Sequence, residues 1–435
     1  MRGERWRAAL ALAGALAAPA VLAAPVERTG GADRAALRPV AAALQARAHG
    51  ALARFYAARG YWPLWIEDHG RAPAGEALLA LVAQADRDGL DPDQYRLGRM
   101  AALLASARTG DAAARAEAEL ALSALFARYV RDMRRAPKAR ITYLDAELKP
   151  GRPAPEAILR QAALAPALLP YIARMEWMDP LYTRLRTADP RALDGAGRRR
   201  LAATLDRLRL LPGPWVRHIT VDAASARLFY YDKGRQQGMM RVVVGTPETP
   251  TPMLAGMVRY AILNPYWNVP PDLVQRRIAP KMVAGASLAA LRFEALSDWS
   301  ASPARLDPRG IDWRAVAAGR AEVRLRQLPG GANAMGRVKF IFPNDQGIYL
   351  HDTPQKALMA KADRHLSNGC VRLEDAPRLA RWLMGTALPA KPGAAERPVA
   401  LAPAVPVYLT YATATPTPHG VALLADPYGR DPGAG

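Results

Sequence analysis

A chain of 435 residues, half of them apolar and 23% charged, is long enough for two or three folding units and is neither disordered nor fibrous in composition. Its formal charge of +21, from 60 Lys plus Arg against 39 Asp plus Glu, would suit a nucleic-acid partner, but the N-terminus predicts export and so argues against one. The single cysteine, Cys370, excludes an intramolecular disulfide.

Residues 1–23 read as a secretory signal. Arg2, Arg5 and Arg7 precede an apolar stretch from Ala8 to Leu22, which Pro19 interrupts and which falls short of the roughly 20 residues needed to span a bilayer. Cleavage fits after Ala20 or after Ala23, and the expected location is the periplasm. There a basic surface would meet wall polymers and lipid head groups; solvated arginines on helix surfaces are the plainer reading of the same charge.

Residues 24–200 are expected to form an all-α module. "AALQARAHGALARFYAARG" and "RAEAELALSALFARYVRDM" carry apolar residues at three- and four-residue spacing. Breaks at "YWPLWIEDHG" and "DGLDPDQY" separate them, with Tyr61, Trp62 and Trp65 packing the turns. The Pro-rich stretch from Lys138 to Pro190 ends the module, and "GAGRRRLAATLDRLRLLPG" predicts a basic amphipathic helix stopped by Pro212 and Gly213.

The second unit is expected over 201–435, and past Pro212 and Gly213 a period of two takes over. "HITVDAASARLFYYDKG", "QGMMRVVVGTP" and "VRYAILNPYWNVP" read as strands. Residues 271–329 mix helix, loop and short strand, as an insertion over a site would. "GRVKFIFPNDQGIYLHDTP" predicts a hairpin with His351 at a strand end. The spacing of "QKALMAKADRHLS" predicts a helix with His365 on its apolar stripe, and "EDAPRLARWLMG" a second helix, N-capped by Asp375 and stopped by Gly385. Cys370 then falls in the loop between two helices, and "VPVYLTYATATP" and "GVALLADPYGRD" close the chain as strands. The fold class is α+β.

A free thiol in an oxidising compartment is either a buried inert side chain or a nucleophile. A nucleophile needs a neighbour that lowers its pKa or takes its proton. Of the six histidines, His49, His69, His218, His351, His365 and His419, the one held at a strand end, His351, is the better base. Gly369 permits a backbone in which consecutive amides converge on an oxyanion. Arg372, two residues beyond Cys370, projects to the same side if the chain is extended, and suits a carboxylate.

"HDTP" and "SNGCVR", with fifteen residues between His351 and Ser367, resemble the His…Ser-x-Gly-Cys signature of YkuD-type L,D-transpeptidases, here with Asn368 where a histidine is usual. "FYAARGYWPLW", "DGLDPDQY", "VVVGTPETPTPM", "NPYWNVPP", "LPGGANAMGRVKFIFPN" and "DPYGRD" extend the resemblance to the large YcbB-like branch. They do so without the peptidoglycan-binding domain that this branch commonly inserts, and without an arginine after the glycine of "VVVGTPETP". The resemblance implies a helical scaffold followed by an L,D-transpeptidase catalytic domain with 271–329 as its cap. It implies Cys370 as nucleophile, His351 as base oriented by the Asp352 carbonyl, and amides of Gly369 and Cys370 around the oxyanion. Tyr349, Ser367 and Arg372 would position substrate, and Trp267, Asn268, Asn333 and Gly336 would line or shape the cleft. No cofactor or metal is implied. The partners are peptidoglycan stem peptides, a tetrapeptide donor and a diaminopimelate acceptor, joined in a 3–3 cross-link through a thioester, with carbapenems as covalent inhibitors.

An L,D-carboxypeptidase or a hydrolase releasing wall-anchored protein would use the same scaffold with water as acceptor. A non-catalytic wall-binding scaffold would be free to lose its thiol. Papain-like and NlpC-type peptidases place cysteine before histidine, and sortases differ in motif and strand context.

Overall fold

The computed structural model describes residues 34–135, 139–300, 302–391 and 393–432; the signal expected at 1–23 lies outside them. The first half is helical: α1 (Arg34–Arg47), α2 (Gly50–Ala58), α3 (Pro73–Val82), α4 (Leu97–Thr109), α5 (Ala112–Met133), α6 (Pro155–Leu164), α7 (Leu168–Ala173), α8 (Pro180–Thr187) and α9 (Gly195–Leu208). α5 is the hub. Asp111 caps it by accepting from the amides of Ala113 and Ala114, and Leu122, Phe126, Tyr129, Val130 and Met133 are buried along it.

Each such side chain contributes about 1.5–3 kcal/mol when fully buried. Two polar clusters fix the packing. The buried Glu119 carboxylate accepts amides of Leu64, Trp65 and Ile66 and the Tyr56 hydroxyl at 2.6 Å, which ties the "YWPLW" turn to α5; Trp65 lies edge-on to Phe126. Asp88 receives Arg186 at 2.7 Å and the hydroxyls of Tyr129 and Tyr182, so that buried charge is satisfied on every side.

The boundary expected between residues 200 and 201 falls inside α9. Asp194 caps this helix at the Gly197 amide, and Leu201, Leu205, Leu208 and Leu211 join the core of the helical module. That core also takes in Ala255, Tyr408, Ala412 and Ala414 from the second half. The helical packing unit therefore continues past residue 200 and ends against the sheet.

The strands are β1 (Thr142–Tyr143), β2 (His218–Asp222), β3 (Arg227–Asp232), β4 (Arg235–Gly245), β5 (Leu254–Leu263), β6 (Trp267–Asn268), β7 (Phe293–Leu296), β8 (Arg305–Leu306) and β9 (Arg324–Gln327), followed by β10 (Val338–Ile341), β11 (Leu350–His351), β12 (His365–Ser367), β13 (Val371–Leu373), β14 (Arg397–Thr410), β15 (Ala414–Thr417) and β16 (Gly420–Leu423). The main sheet runs β5-β10-β11-β13-β4-β3-β2-β14 and closes because β14 also pairs with β5. Closure removes its free edges. The helical module supplies β1, which adds to β5 in parallel. The interior is filled by Val242, Val244, Val258, Phe340, Leu350 and Val371, with Leu379 and Leu383 of a helix at Ala376–Met384 packed against them.

Residues 271–329 form a separate small layer. β9, β7 and β8 of this segment, with β6 just before it, make a sheet around Val274, Ile278, Ala295, Val316 and Leu325.

The helix expected at 355–367 is absent. A 3₁₀ turn at Lys356–Ala360 is followed by β12, which pairs with β4. Arg364 bonds the carbonyls of Val242, Ser225 and Ala226, and His365 bonds the Ala223 carbonyl at 2.9 Å and Asp363 at 2.6 Å. Those partners exist only in the extended form, so tertiary contacts override the 3.6-residue spacing. Cys370 accordingly sits between two strands, β12 and β13.

Candidate active site

Adjacent parallel strands carry the reactive groups. β11 pairs with β13 in the register Leu350↔Val371 and His351↔Arg372, and the Val371 amide donates to the Tyr349 carbonyl at 3.1 Å. Tyr349 is thereby set beside Cys370, where its backbone amide and its hydroxyl favour the charged form of the sulfur. The thiol itself donates to the Gly347 carbonyl at 3.3 Å. His351, only 2% exposed, donates from Nδ1 to the Asp352 carbonyl at 2.6 Å. A carbonyl can only accept, so the proton is on Nδ1 and Nε2 is the nitrogen left to take one.

Electrostatics keep both groups neutral at rest. Burial, helped by the Arg372 charge and opposed by the Asp352 carbonyl, depresses the His351 imidazole to about 3. Crowding by protein pushes the partly accessible Cys370 thiol up to about 11, against the lowering effects of the Tyr349 amide and Arg372. The cleft thus holds a neutral imidazole and a neutral thiol, not a preformed ion pair.

The Cys370 loop is fastened from below. Gly369 has φ +104°, a region that L side chains rarely adopt, and a Cβ there would meet Ile348 at 3.0 Å. Ser367 Oγ donates to the Cys370 carbonyl at 2.6 Å and accepts the Gly369 amide at 3.2 Å. Of the two amides expected around an oxyanion, that of Gly369 is thus engaged with Ser367, while that of Cys370 makes no hydrogen bond among the described residues. Ser367 is 2% exposed, and its hydroxyl is committed to the loop, so a direct grip on substrate is not its visible task.

Cys370, His351, Arg372, Tyr349, Trp267 and Asn268 line one cleft of about 600 Å³, roofed by Pro271, Leu273, Arg277 and Trp299 of the 271–329 layer. Asn333 does not line it. Fully buried, Asn333 donates to the Gln327 and Leu328 carbonyls and accepts from Met335, so it shapes the turn that supplies Met335 to the wall. Gly336, at φ +60°, lies where a Cβ would overlap the Asp352 carboxylate. That carboxylate accepts the Arg337 amide at 2.9 Å and Lys356 at 2.7 Å, which holds the carbonyl on His351 in place.

Three features escaped sequence reasoning. Thr251 Oγ1 donates to the Gly369 carbonyl at 2.8 Å and accepts the Gly245 amide at 2.9 Å. Tyr428 bonds the Gly245 carbonyl at 2.7 Å and Arg430 the Thr251 carbonyl at 2.9 Å, so the C-terminal segment braces the loop under the thiol. "DPYGRD" stood out as a motif without a role that spacing could give. Arg277, from the cap, lines the cleft with Arg372, whose pKa is lowered by burial first and by the Arg277 charge after it, so a second guanidinium stands in the cleft where no arginine follows Gly245.

Two family models match the two halves of the chain. Residues 50–188 match the family described as Scaffold domain, and residues 216–408 the family described as L,D-transpeptidase catalytic domain, YkuD. A Haemophilus influenzae protein named "Putative L,D-transpeptidase" is 29% identical over 393 residues, covering 87% of this chain and 78% of that one. Among solved structures, the Ldtfm–avibactam carbamoyl enzyme is 15% identical over 44% of this chain and 48% of its own, and an L,D-transpeptidase from Mycobacterium smegmatis is 13% identical over 44% and 58%, each with a TM-score of 0.22. The chain carries a helical scaffold domain followed by a catalytic domain of the YkuD L,D-transpeptidase family.

Proposed function

We propose that the protein is a periplasmic cysteine L,D-transpeptidase that forms 3–3 peptidoglycan cross-links. One observation carries this reading: Cys370, His351 and Arg372 line a single cleft, with His351 Nδ1 committed to a carbonyl so that Nε2 faces proton transfer. Sγ of Cys370 attacks the diaminopimelate carbonyl of a donor tetrapeptide as the thiol proton passes to His351 Nε2. The oxyanion is met by the Cys370 amide. Loss of such a donor costs about 3–4 kcal/mol of transition-state stabilisation.

His351 then returns the proton to the leaving terminal D-alanine amine, and a thioester to Cys370 remains. The side-chain amine of a second diaminopimelate attacks it, its proton passes through His351, and the thiol is restored. Arg372 and Arg277 suit the free carboxylates of the stem, and Trp267 and Asn268 bound the groove along which it lies. The leader-like residues 1–23 and the wall substrate together support a periplasmic location.

Muropeptide analysis in a wall lacking 3–3 links tests the reading. Expression of the wild type should produce those links, and Cys370→Ala should not; links from both, or from neither, count against it, and tripeptides without links would make water the acceptor. A carbapenem should add covalently to the reduced wild-type protein, which intact mass reads directly.

A further inference from the structure

We infer that an arginine-lined groove along the seam between the helical module and the sheet is a second docking site, taking the free carboxylates of wall peptide stems outside the catalytic cleft. The choice of ligand rests on the peptidoglycan reading above. Two adjoining clefts of about 740 and 760 Å³ share Ala139, Arg140 and Thr142 in their walls. Arg135 and Arg152 open on the first, Arg199 on the second and Arg140 on both. All four are exposed, and none makes a side-chain hydrogen bond or ion pair among the described residues.

Other exposed arginines do pair: Arg54 with Glu156, Arg108 with Glu76 and Arg276 with Asp272. The carboxylate in the groove, Asp206, lies 3.7 Å from Arg209. Arg134 and Arg207, in the walls, are spent on backbone carbonyls and Asp431. The result is unbalanced positive charge held around a concave surface, which raises the local concentration of anions.

Tyr143, Leu210, Pro252 and Met253 share the walls of the two clefts with these charges. Apolar surface interleaved with guanidinium fits a carboxylate-bearing peptide with aliphatic side chains better than a bare phosphate chain. The position fits as well. Thr249 lines the catalytic cleft and Met253 the groove, and four residues of chain span at most about 14 Å. A polymer with repeated stems can therefore occupy both.

The test is co-sedimentation with purified sacculi stripped of attached polymers, using the wild type, Cys370→Ala and the quadruple variant R135Q/R140Q/R152Q/R199Q. Wild type and Cys370→Ala should pellet alike, and lose about tenfold in affinity as salt shortens the Debye length from about 10 Å to a few ångströms. The quadruple variant should bind about tenfold more weakly with an unchanged melting temperature, because the substituted side chains are exposed. Arg→Lys at the same four positions should restore binding, which separates charge from folding.

Sacculi whose carboxyls have been amidated should not be retained. Equal binding by the Gln variant, retention of amidated sacculi, or stronger competition by single-stranded DNA than by polyglutamate at equal charge would overturn the assignment. Binding by Cys370→Ala needs no acyl transfer, so failure of the catalytic reading would leave this outcome readable.

Discussion

At the scale of single residues, the site depends on how Arg372 sets its neighbours. Burial is the largest effect on both, lowering the His351 imidazole and raising the Cys370 thiol, and the Arg372 charge pulls each of them downward. Because His351 sits near 3 and Cys370 near 11, the base is unprotonated and the thiol protonated between them, and the acylation rate should be flat from about pH 5 to pH 9. Arg372→Gln removes a positive charge, so His351 should rise toward its ordinary value of about 6.5. The acid limb of kcat/KM should then move upward in pH while its basic limb does not fall. An acid limb that stays put in the variant, or a wild-type profile already breaking near 6.5, would show that Arg372 does not act on His351 in this way.

At the scale of elements, the thiol is placed by strands and a brace. β11 and β13 put Tyr349 beside Cys370, and Thr251 holds the Gly369 carbonyl from beneath. Thr251→Val keeps the shape and removes the hydroxyl, leaving a buried carbonyl and a buried amide unsatisfied at about 1–3 kcal/mol each. Melting temperature should fall by several degrees, and kcat for acylation should fall more than KM rises; a variant as stable and active as the wild type would remove the brace from the account. Much of this level was legible in the sequence. The period-two runs gave β2 to β5, and "EDAPRLARWLMG" showed a helix capped by Asp375 and ended by Gly385 at φ +73°. His351 at a strand end followed from the hairpin pattern. What misled was local spacing where long-range bonds decide: His365 and Leu366 look helical but lie in β12, where Arg364 bonds the Val242 carbonyl and His365 that of Ala223. Thr251, Arg277 and Arg430 were not legible for the same reason, since each acts on a residue more than ninety positions away.

For the whole molecule, the two halves share a core and a sheet. β1 extends the sheet beside β5, Asp145 accepts the Met257 amide at 2.7 Å and pairs with Arg259, and Arg207 binds Asp431 at 2.7 Å. Tyr408, Ala255 and Ala412 are buried in the helical core. A fragment beginning at residue 212 would expose that face, and should be poorly soluble or melt well below the full chain; the full chain should unfold in one calorimetric transition. Two well-separated transitions, with the fragment as stable as its own half, would mean the scaffold is only tethered. Catalysis as proposed passes through one bond, the thioester on Cys370, and mass spectrometry of the protein quenched during turnover of a tetrapeptide donor detects it. An adduct equal to the donor less its terminal D-alanine is expected, mapped to the peptide containing Cys370, labile to hydroxylamine and absent from Cys370→Ala. An adduct on another residue, or turnover that persists in Cys370→Ala, would contradict it.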